Sequence, residues 1–459
     1  MTISQCRAAA LTLLYAWLIA AAPPAAAVSY DDERELGRRF ALQARVQLPL
    51  VTDVEVGEYV TRIGRRIVAA LDNSPFEYQF LVIRDPKINA FAVPGGYIYV
   101  HSGMLTRAAS DDEVAGVIGH EIAHVHAHHL AREQEATHLM NYATLLGLLL
   151  SIVNPAIGAG AVAADTATQL TYRREFEQEA DYLGAGYMRK AGFDPVGMLD
   201  FFKKMADEQR LAPSFAPPYL LSHPLTDERL THLESALRTQ QWTTAPRAAT
   251  SSRLERVHVL LRAQTEPPND VRTVYRRRVD QHPDDAQARY LLGVAFLETG
   301  AFDSARQTLE QARAMGWIAA DRELGRAWLR LRDLRRAREL LARAVEIDPD
   351  DAGAHAELAK ACETLGDSTA ALREYQHAIE LAPTLADAHY GYAMLAGRAG
   401  READGYFHLG EAWRLRGEYD AALMQYEKAA PFLDPNSERG QYTQTQIDTL
   451  KDFLHRSRK

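Results

Sequence analysis

The chain has 459 residues, of which 47% are hydrophobic and 25% are charged. This composition is typical of a globular protein, and the length exceeds what one hydrophobic core serves, so two or more domains are expected. The 61 acidic side chains outnumber the 52 basic ones, which gives a net charge of -9 and disfavours a nucleic-acid partner. Two cysteines are too few for a disulfide framework in a chain of this length.

The first thirty residues have the pattern of an export signal. Arg7 precedes an apolar run over 8–22, and small residues over 25–27 precede a polar segment. We expect cleavage after about Ala27, which makes residues 1–27 a signal peptide. An uncleaved N-terminal anchor is the alternative.

The next segment predicts helices that pack on a small sheet. Apolar residues recur every three or four positions between residues 31 and 71, which indicates helices. Strands are predicted at 78–83 and 97–100, with a short strand at 89–93 between them. Because Pro94 ends the short strand, we expect that strand at an edge of the sheet.

A long helix follows and carries a metal-binding pattern. It is predicted to run from about Asp111 to beyond Leu130. His120, Glu121 and His124 form the HExxH pattern within it. The spacing puts both imidazoles on one helical face, where they can reach one metal ion, and it places Glu121 close to a metal-bound water.

Three further histidines, His126, His128 and His129, are interpreted as exposed helix residues, with auxiliary metal ligands as the alternative. The apolar stretch at 144–164 is broken by an Asn-Pro pair in its middle. It predicts a helical hairpin that lies against the fold or a membrane surface, and a membrane span is the alternative.

A helix predicted at 171–191 supplies a candidate third ligand. Glu177 and Asp181 lie four residues apart on one face, so Glu177 can bind zinc while Asp181 orients a ligating histidine. Glu179 is interpreted as part of a solvated charged face.

The C-terminal half of the chain is repetitive. Residues 243–252 have the composition of a linker. Beyond them, Pro349 and Pro383 are 34 residues apart, as are Gly366 and Gly400. A 34-residue period with small residues at the turns is the signature of tetratricopeptide repeats.

Taken together, these residues resemble a family of zinc metallopeptidases, the one that includes heat-shock protease X and the prenyl-protein endopeptidases. Four motifs carry the resemblance in chain order: NAFAVPGG at 89–96, HEIAH at 120–124, EQEAD at 177–181 and SHP at 222–224. The resemblance implies an α+β fold, a zincin-type metallopeptidase domain followed by an all-α repeat domain. The expected ranges are a signal peptide at 1–27, the peptidase domain at 28–242, a linker at 243–252, repeats at 253–435 and a C-terminal tail at 436–459.

The resemblance also implies the roles of the site residues. One Zn²⁺ ion per chain is bound by His120, His124 and Glu177. Glu121 is the catalytic base, which takes a proton from water and passes it to the leaving amine, and Asp181 is the supporting carboxylate.

His223 looks like the histidine that follows the metal-binding helices in this family, where it can approach zinc. Three roles stay open for it. It fills the open position and holds the enzyme latent, it donates to the oxyanion, or it is a loop histidine that never meets zinc.

The short strand is the expected place for substrate. Asn89, Ala90 and Phe91 would hold an extended peptide by backbone pairing, which favours unfolded or misassembled polypeptide; an ordinary core strand is the alternative.

The resemblance extends to periplasmic members that combine this domain with repeats. It implies a periplasmic metalloendopeptidase of outer-membrane protein quality control, whose repeats bind clients or the outer-membrane β-barrel assembly machinery. Peripheral membrane contact through 144–164 is a further expectation. The alternative is a chaperone or assembly factor whose repeats carry the main role and whose peptidase is latent.

Overall fold

The computed structural model describes residues 29–137, 174–211, 217–240, 242 and 251–457. The predicted signal peptide, the apolar stretch and most of the predicted linker lie outside these ranges. Within them, no helix combines the length and the apolar character that a bilayer crossing requires.

The first part of the chain is a set of helices around a small sheet. The helices are α1 (Tyr30–Gln47), α2 (Val54–Val68), α3 (Ser102–Arg107), α4 (Asp111–His126), α5 (His129–Thr137), α6 (Arg174–Lys190), α7 (Val196–Leu211), α8 (Tyr219–Ser222) and α9 (Asp227–Thr239). The strands are β1 (Gln79–Ile83), β2 (Ala90–Val93) and β3 (Tyr97–His101).

The sheet has the order β1-β3-β2. β1 runs parallel to β3 with Gln79 opposite Tyr97, and β2 runs antiparallel to β3 with Ala90 opposite Val100. Among the described strands, β2 therefore pairs with β3 alone. The predicted edge position of this strand is confirmed.

Helix α4 is the centre of this part of the fold. Its start is capped by Ser110, whose hydroxyl accepts a hydrogen bond from the Glu113 N–H at 3.2 Å. From Glu113 to Val125 every residue is buried, because α2, α6, α7 and the sheet all pack against the helix. A helix that is apolar on most of its faces is expected in such an enclosed position.

The predicted continuation of this helix beyond Leu130 is wrong. α4 ends at His126, and His128 adopts a left-handed backbone with φ of 53°. The imidazole Nδ1 of His128 lies 2.8 Å from a carboxylate oxygen of Glu33, and its ring stacks on Tyr30 at 4.8 Å. These contacts with α1 stabilise a turn that local sequence alone does not announce, and α5 begins at the next residue.

Helices α4 and α6 cross at two glycines. A Cβ atom added to Gly184 would lie 2.9 Å from the carbonyl carbon and oxygen of Gly119 and 3.0 Å from the backbone nitrogen of His120. Real side chains do not tolerate such contacts with backbone, so only glycine allows the two helices to approach this closely. The crossing brings His120 next to the face of α6 that carries Glu177.

The second part of the chain is an array of helical hairpins. Its helices are α10 (Ser252–Thr265), α11 (Pro268–Gln281), α12 (Ala286–Glu298), α13 (Phe302–Ala314), α14 (Ala320–Arg330), α15 (Leu334–Ile347), α16 (Ala352–Thr364), α17 (Ser368–Leu381), α18 (Ala386–Arg398), α19 (Glu402–Leu415), α20 (Tyr419–Ala429) and α21 (Glu438–Ser457). Gly300, Gly366 and Gly400 have positive φ at the hairpin turns, where glycine costs least. The α+β class followed by a helical repeat array is confirmed.

The segment predicted as a C-terminal tail is folded. Residues 438–457 form α21, which packs on α20 and buries Ile447 and Leu450. Apolar residues at this spacing cover one face of a helix, and burial of that face stabilises the segment against the last repeat.

The two parts of the chain touch at both ends of the array. Near its start, Glu55 of α2 forms ion pairs with Arg256 and with Arg322, the latter at 3.1 Å. Near its end, the Tyr419 hydroxyl donates to the Leu42 carbonyl of α1 at 2.9 Å. The array therefore contacts both of the first two helices.

Replacement of Gly184 by alanine tests the helix crossing. We expect Gly184→Ala to lower the free energy of unfolding by about 1–3 kcal/mol, because the added methyl group overpacks the contact with α4. Gly57→Ala is the matched control, because nothing lies within 4 Å of the added Cβ, and its expected gain is up to about 1 kcal/mol. Urea denaturation of both variants measures the difference, and equal effects would contradict the crossing.

Candidate metal centre

Four buried side chains converge on one point. They are His120 and His124 of α4, Glu177 of α6 and His223, and their ligand atoms lie within 4.8 Å of one another. This is the one such group among the described residues.

The distances within this group suit a small metal ion. The Nε2 atoms of His120 and His124 are 3.0 Å apart, and the His124 Nε2 lies 3.2 Å from a Glu177 oxygen. The His223 Nδ1 is 2.8 Å from the same carboxylate oxygen and 3.4 Å from the His120 Nε2. Ligands about 2.0–2.2 Å from a tetrahedral zinc ion lie roughly 3.3–3.5 Å from one another. The observed separations of 2.8–3.4 Å lie close to this range or somewhat below it, so three nitrogens and a carboxylate oxygen are placed where they could hold a metal ion.

His223 reaches the cluster from the C-terminal end of α8. Its backbone N–H donates to the Tyr219 carbonyl at 2.9 Å, and its ring stacks on the Tyr219 ring with centroids 4.6 Å apart. The Tyr219 N–H in turn approaches the Ile88 carbonyl at 3.4 Å, directly before β2. Of the three roles left open for His223, the one in which it never meets the site is the least compatible with this placement.

Glu121 lies beside the cluster and has no hydrogen bond of its own. Both carboxylate oxygens are buried, and neither has a hydrogen-bond partner among the described residues. One oxygen lies 3.6 Å from the His223 Nε2. A buried carboxylate is stable only when its oxygens are satisfied, so its position suits a group that binds a proton-bearing ligand of a metal.

Arg229 of α9 contacts the two carboxylates of the site, Asp181 and Glu177. Its guanidinium donates to both oxygens of Asp181, at 2.6 and 2.9 Å, and it also pairs with Glu177. Asp181 contacts the His120 Nδ1 at 2.9 Å, as expected for a carboxylate that orients a ligating histidine. The sequence analysis missed Arg229.

The same contacts set the charge of the site. Burial by itself raises the pKa of Asp181, but the positive charge and hydrogen bonds of Arg229 outweigh burial and lower it. Burial holds the pKa of His124 well below its ordinary value despite the nearby Glu177. An ionised carboxylate and a neutral imidazole are the forms that bind a metal ion.

The three residues predicted to bind substrate differ in their surroundings. Asn89 is fully buried, and neither amide atom of its side chain has a hydrogen-bond partner among the described residues. The Phe91 ring packs in the core, stacked on Tyr99 at 5.1 Å. The His101 N–H donates to the Asn89 carbonyl at 2.9 Å, so antiparallel alternation directs the backbone of Ala90 away from β3.

The interpretation of three histidines as exposed helix residues is wrong. His126 and His128 are half-buried, and His129 is fully buried. The break after α4 turns His129 back toward the cluster, where its Nδ1 lies 2.9 Å from the His124 Nδ1. Glu179, interpreted as part of a solvated face, is only partly exposed and lies 3.2 Å from the His129 Nε2.

The fold thus combines a buried cluster that could hold a metal ion with a following array of helical hairpins. Residues 56–237 match peptidase family M48, and residues 270–317 and 322–386 match a tetratricopeptide repeat family. The N-terminal half of the chain is thus similar to peptidase family M48, and part of the C-terminal half is similar to tetratricopeptide repeats.

Several known proteins are similar to this chain. A Vibrio cholerae protein is 40% identical over 212 residues, which cover 44% of both chains. The beta-barrel assembly-enhancing protease of Escherichia coli K12 is 32% identical over 44% of this chain and 43% of its own length. The mitochondrial metalloendopeptidase OMA1 of Schizosaccharomyces pombe is 31% identical over 39% of this chain and 52% of its own length. The matched region thus spans about half of these relatives or less.

Among solved structures, the crystal structure of MamA aligns with 33% of this chain and 91% of its own, with 17% identity and a TM-score of 0.30.

Replacement of Arg229 tests whether it neutralises the site. We expect Arg229→Met to lower the free energy of unfolding by about 3–5 kcal/mol, because Asp181 and Glu177 lose their buried partner. Arg229→Lys should recover only part of this loss, since an ammonium cannot bond both oxygens of Asp181 in the same way.

The exposed Arg210 provides the matched control. Its partners Asp207 and Asp227 are also exposed, so Arg210→Met should change the free energy of unfolding by less than about 1 kcal/mol. Urea denaturation measures all three variants. An equal effect of Arg229→Met and Arg210→Met would show that the buried ion pairs contribute nothing.

Proposed function

We propose that the chain is a zinc-dependent metalloendopeptidase that cleaves unfolded or misassembled polypeptide. The observation that carries the proposal is the convergence of His120, His124 and Glu177 around one point, with Glu121 beside it. These three residues would hold one zinc ion per chain. When bound, zinc lowers the pKa of a coordinated water to about 7 and polarises a peptide carbonyl.

The protein side chains around the metal position would transfer the proton and orient the ligands. Glu121 accepts the proton of the attacking water and passes it to the leaving amine, because it lies beside the cluster and neither of its buried oxygens has a hydrogen-bond partner among the described residues. Asp181 fixes the His120 ring through its Nδ1, and Arg229 keeps Asp181 ionised.

An extended substrate would pair with the edge of β2 that faces away from β3, which is buried in this structure and would have to be uncovered first. The carbonyl and N–H groups of Ala90 and Ala92 point away from β3, so a peptide strand can add to them by main-chain hydrogen bonds. Only polypeptide without stable structure presents a free strand of this kind. The buried amide of Asn89 lies at the start of this edge and would contact the same substrate.

The names of the relatives suggest where this activity serves. Similarity to beta-barrel assembly-enhancing proteases supports a periplasmic role in quality control of outer-membrane proteins. The repeats would bind clients or the β-barrel assembly machinery, since such arrays form extended protein-binding surfaces. Export through residues 1–27 and membrane contact through 144–164 remain part of the proposal.

His223 would act as a gate. Its Nδ1 lies among the candidate zinc ligands, in the position that a catalytic site keeps open for water or substrate. The peptidase is then latent until the segment around α8 moves. This placement also favours the second candidate function, an assembly factor whose repeats act while its peptidase rests.

Substitution of the base separates metal binding from catalysis. We expect Glu121→Gln to keep one zinc ion per chain and to lose about 10²–10⁴-fold of the casein-cleavage rate, because an amide cannot accept the proton. Glu177→Gln should instead lose zinc. Metal analysis and digestion with and without a chelator measure both effects, and undiminished cleavage by Glu121→Gln would refute the mechanism.

Substitution of His223 separates its three roles. We expect His223→Ala to raise basal cleavage of casein, because the fourth position is freed. A donor to the oxyanion would instead give a loss of cleavage with zinc retained. Unchanged cleavage would mean that His223 has no part in the reaction.

Replacement of Asn89 should lower activity without lowering stability. We expect Asn89→Ala to leave the melting temperature unchanged or higher, because the substitution removes an unsatisfied buried amide that costs about 1–3 kcal/mol. The kcat/KM for a peptide should fall about tenfold, the worth of one hydrogen bond. Asn436→Ala, at an exposed position in the last repeat, is the control. A drop in melting temperature with unchanged kcat/KM would assign Asn89 to structure.

A further inference from the structure

We propose that His129 and Glu179 position the zinc ligand His124 from the side opposite the metal, as a chain of contacts that runs from His124 through His129 to Glu179. The inference rests on the proposed function, because it takes zinc to be bound at the candidate metal centre.

The contacts from His124 through His129 to Glu179 form an unbroken series. The Nδ1 atoms of His124 and His129 are 2.9 Å apart, and their rings meet edge to face with centroids at 4.8 Å. The other ring nitrogen of His129, Nε2, lies 3.2 Å from a carboxylate oxygen of Glu179. The same oxygen accepts a hydrogen bond from Arg132 at 3.0 Å.

These contacts fix the direction of the hydrogen bonds. The His124 Nε2 faces His120 and Glu177 and must carry a lone pair to bind metal, so its Nδ1 carries the proton. The His129 Nδ1 then accepts that proton's hydrogen bond, which leaves the proton of His129 on Nε2, the nitrogen that lies 3.2 Å from Glu179. The tautomer of His124 thus determines the tautomer of His129.

His129 is held rigidly enough for this role. It is fully buried, and its ring stacks on Phe176 with centroids 4.7 Å apart and planes 11° from parallel. The guanidinium of Arg132 covers the Phe176 ring at 4.6 Å. The stacking holds the plane of the ring, and a 180° flip within that plane would remove both the contact of Nδ1 with His124 and the contact of Nε2 with Glu179.

The helix break after His126 makes the contact possible. In a continuous helix, residues five apart are rotated by about 140° around the axis, so His129 would point away from the face that carries His124. The left-handed backbone of His128 instead starts a new helix whose first residue lies over His124.

Through this series of contacts, both histidines that would bind zinc have an outer carboxylate partner. His120 contacts Asp181 directly through its Nδ1, and His124 reaches Glu179 through His129. Both carboxylates belong to α6, where they lie two residues apart. Outer partners of this kind orient a ligating ring and raise its basicity, and their loss lowers metal affinity by about 10–100-fold.

The test is zinc affinity of the full chain, measured by competition with a fluorescent chelator. His129→Phe keeps the stacking surface and removes both ring nitrogens, so we expect a loss of about 10–100-fold. His129→Asn should recover most of that loss, because its amide oxygen can accept the His124 N–H. His126→Phe is the matched control, since His126 is half-buried and packs against Tyr187 with ring centroids 5.6 Å apart.

Unchanged zinc affinity in His129→Phe, with normal affinity in the wild type, would overturn this inference alone. A wild-type chain that binds no zinc would overturn the proposed function and this inference with it. Equal losses in the Phe and Asn variants would show that an acceptor for the His124 N–H does not restore affinity, and would overturn the inference. If His129→Phe does not fold, Glu179→Leu replaces it as the test, because Glu179 is partly exposed. A lower zinc affinity of Glu179→Leu would support the inference, and an unchanged zinc affinity would overturn it.

Discussion

The site depends on one buried cluster of charges, in which Arg229 neutralises Asp181 and Glu177. Burying an isolated carboxylate costs several kcal/mol, so two of them on one face of α6 are tolerated only with a partner that bonds to both. Arg229 meets this need with a two-bonded contact to Asp181 and a further pair with Glu177. Helix α9 must therefore be docked before α6 can present ionised carboxylates to the histidines of α4.

The close approach of α4 and α6 sets the distances between the clustered side chains, and the charge cluster keeps their carboxylates ionised. Gly119 and Gly184 let the helix backbones meet, which brings Glu177 within ligand distance of His124. Either condition alone is insufficient, because a wide crossing would separate the ligands and an unpaired Glu177 would take up a proton.

The sequence predicted what depends on spacing within one helix. HExxH and the pair Glu177 and Asp181 follow from the helical period, and the structure brings all of them together. Arg229 lies 48 residues beyond Asp181, and nothing local distinguishes it from the other arginines of the chain. Its role arises from the packing of α9 on α6, which a periodicity argument does not reach.

Two features of the structure that the sequence analysis did not predict have different causes. The supposed exposure of His129 followed from extending α4 too far, because the turn at His128 depends on contacts with Glu33 and Tyr30 from a distant helix. The tail did carry a local signal, since Ile447, Leu450 and Leu454 have helical spacing. That signal is weak alone, because a single amphipathic helix is stable only against a surface such as α20.

The repeats and the peptidase domain are less separate than a linker between them suggests. One hydrophobic core runs from Val56 and Ile118 into Leu254 and Leu291 of the repeat helices. The Ser251 hydroxyl, which caps α10, also donates to Asp111 at 2.6 Å, at the first turn of the metal-binding helix. The first repeat is therefore packed on the element that carries the HExxH pattern. If the array binds clients as proposed, a bound client would lie at a position fixed relative to the site, and the repeats would present it to one edge of the sheet without a flexible search.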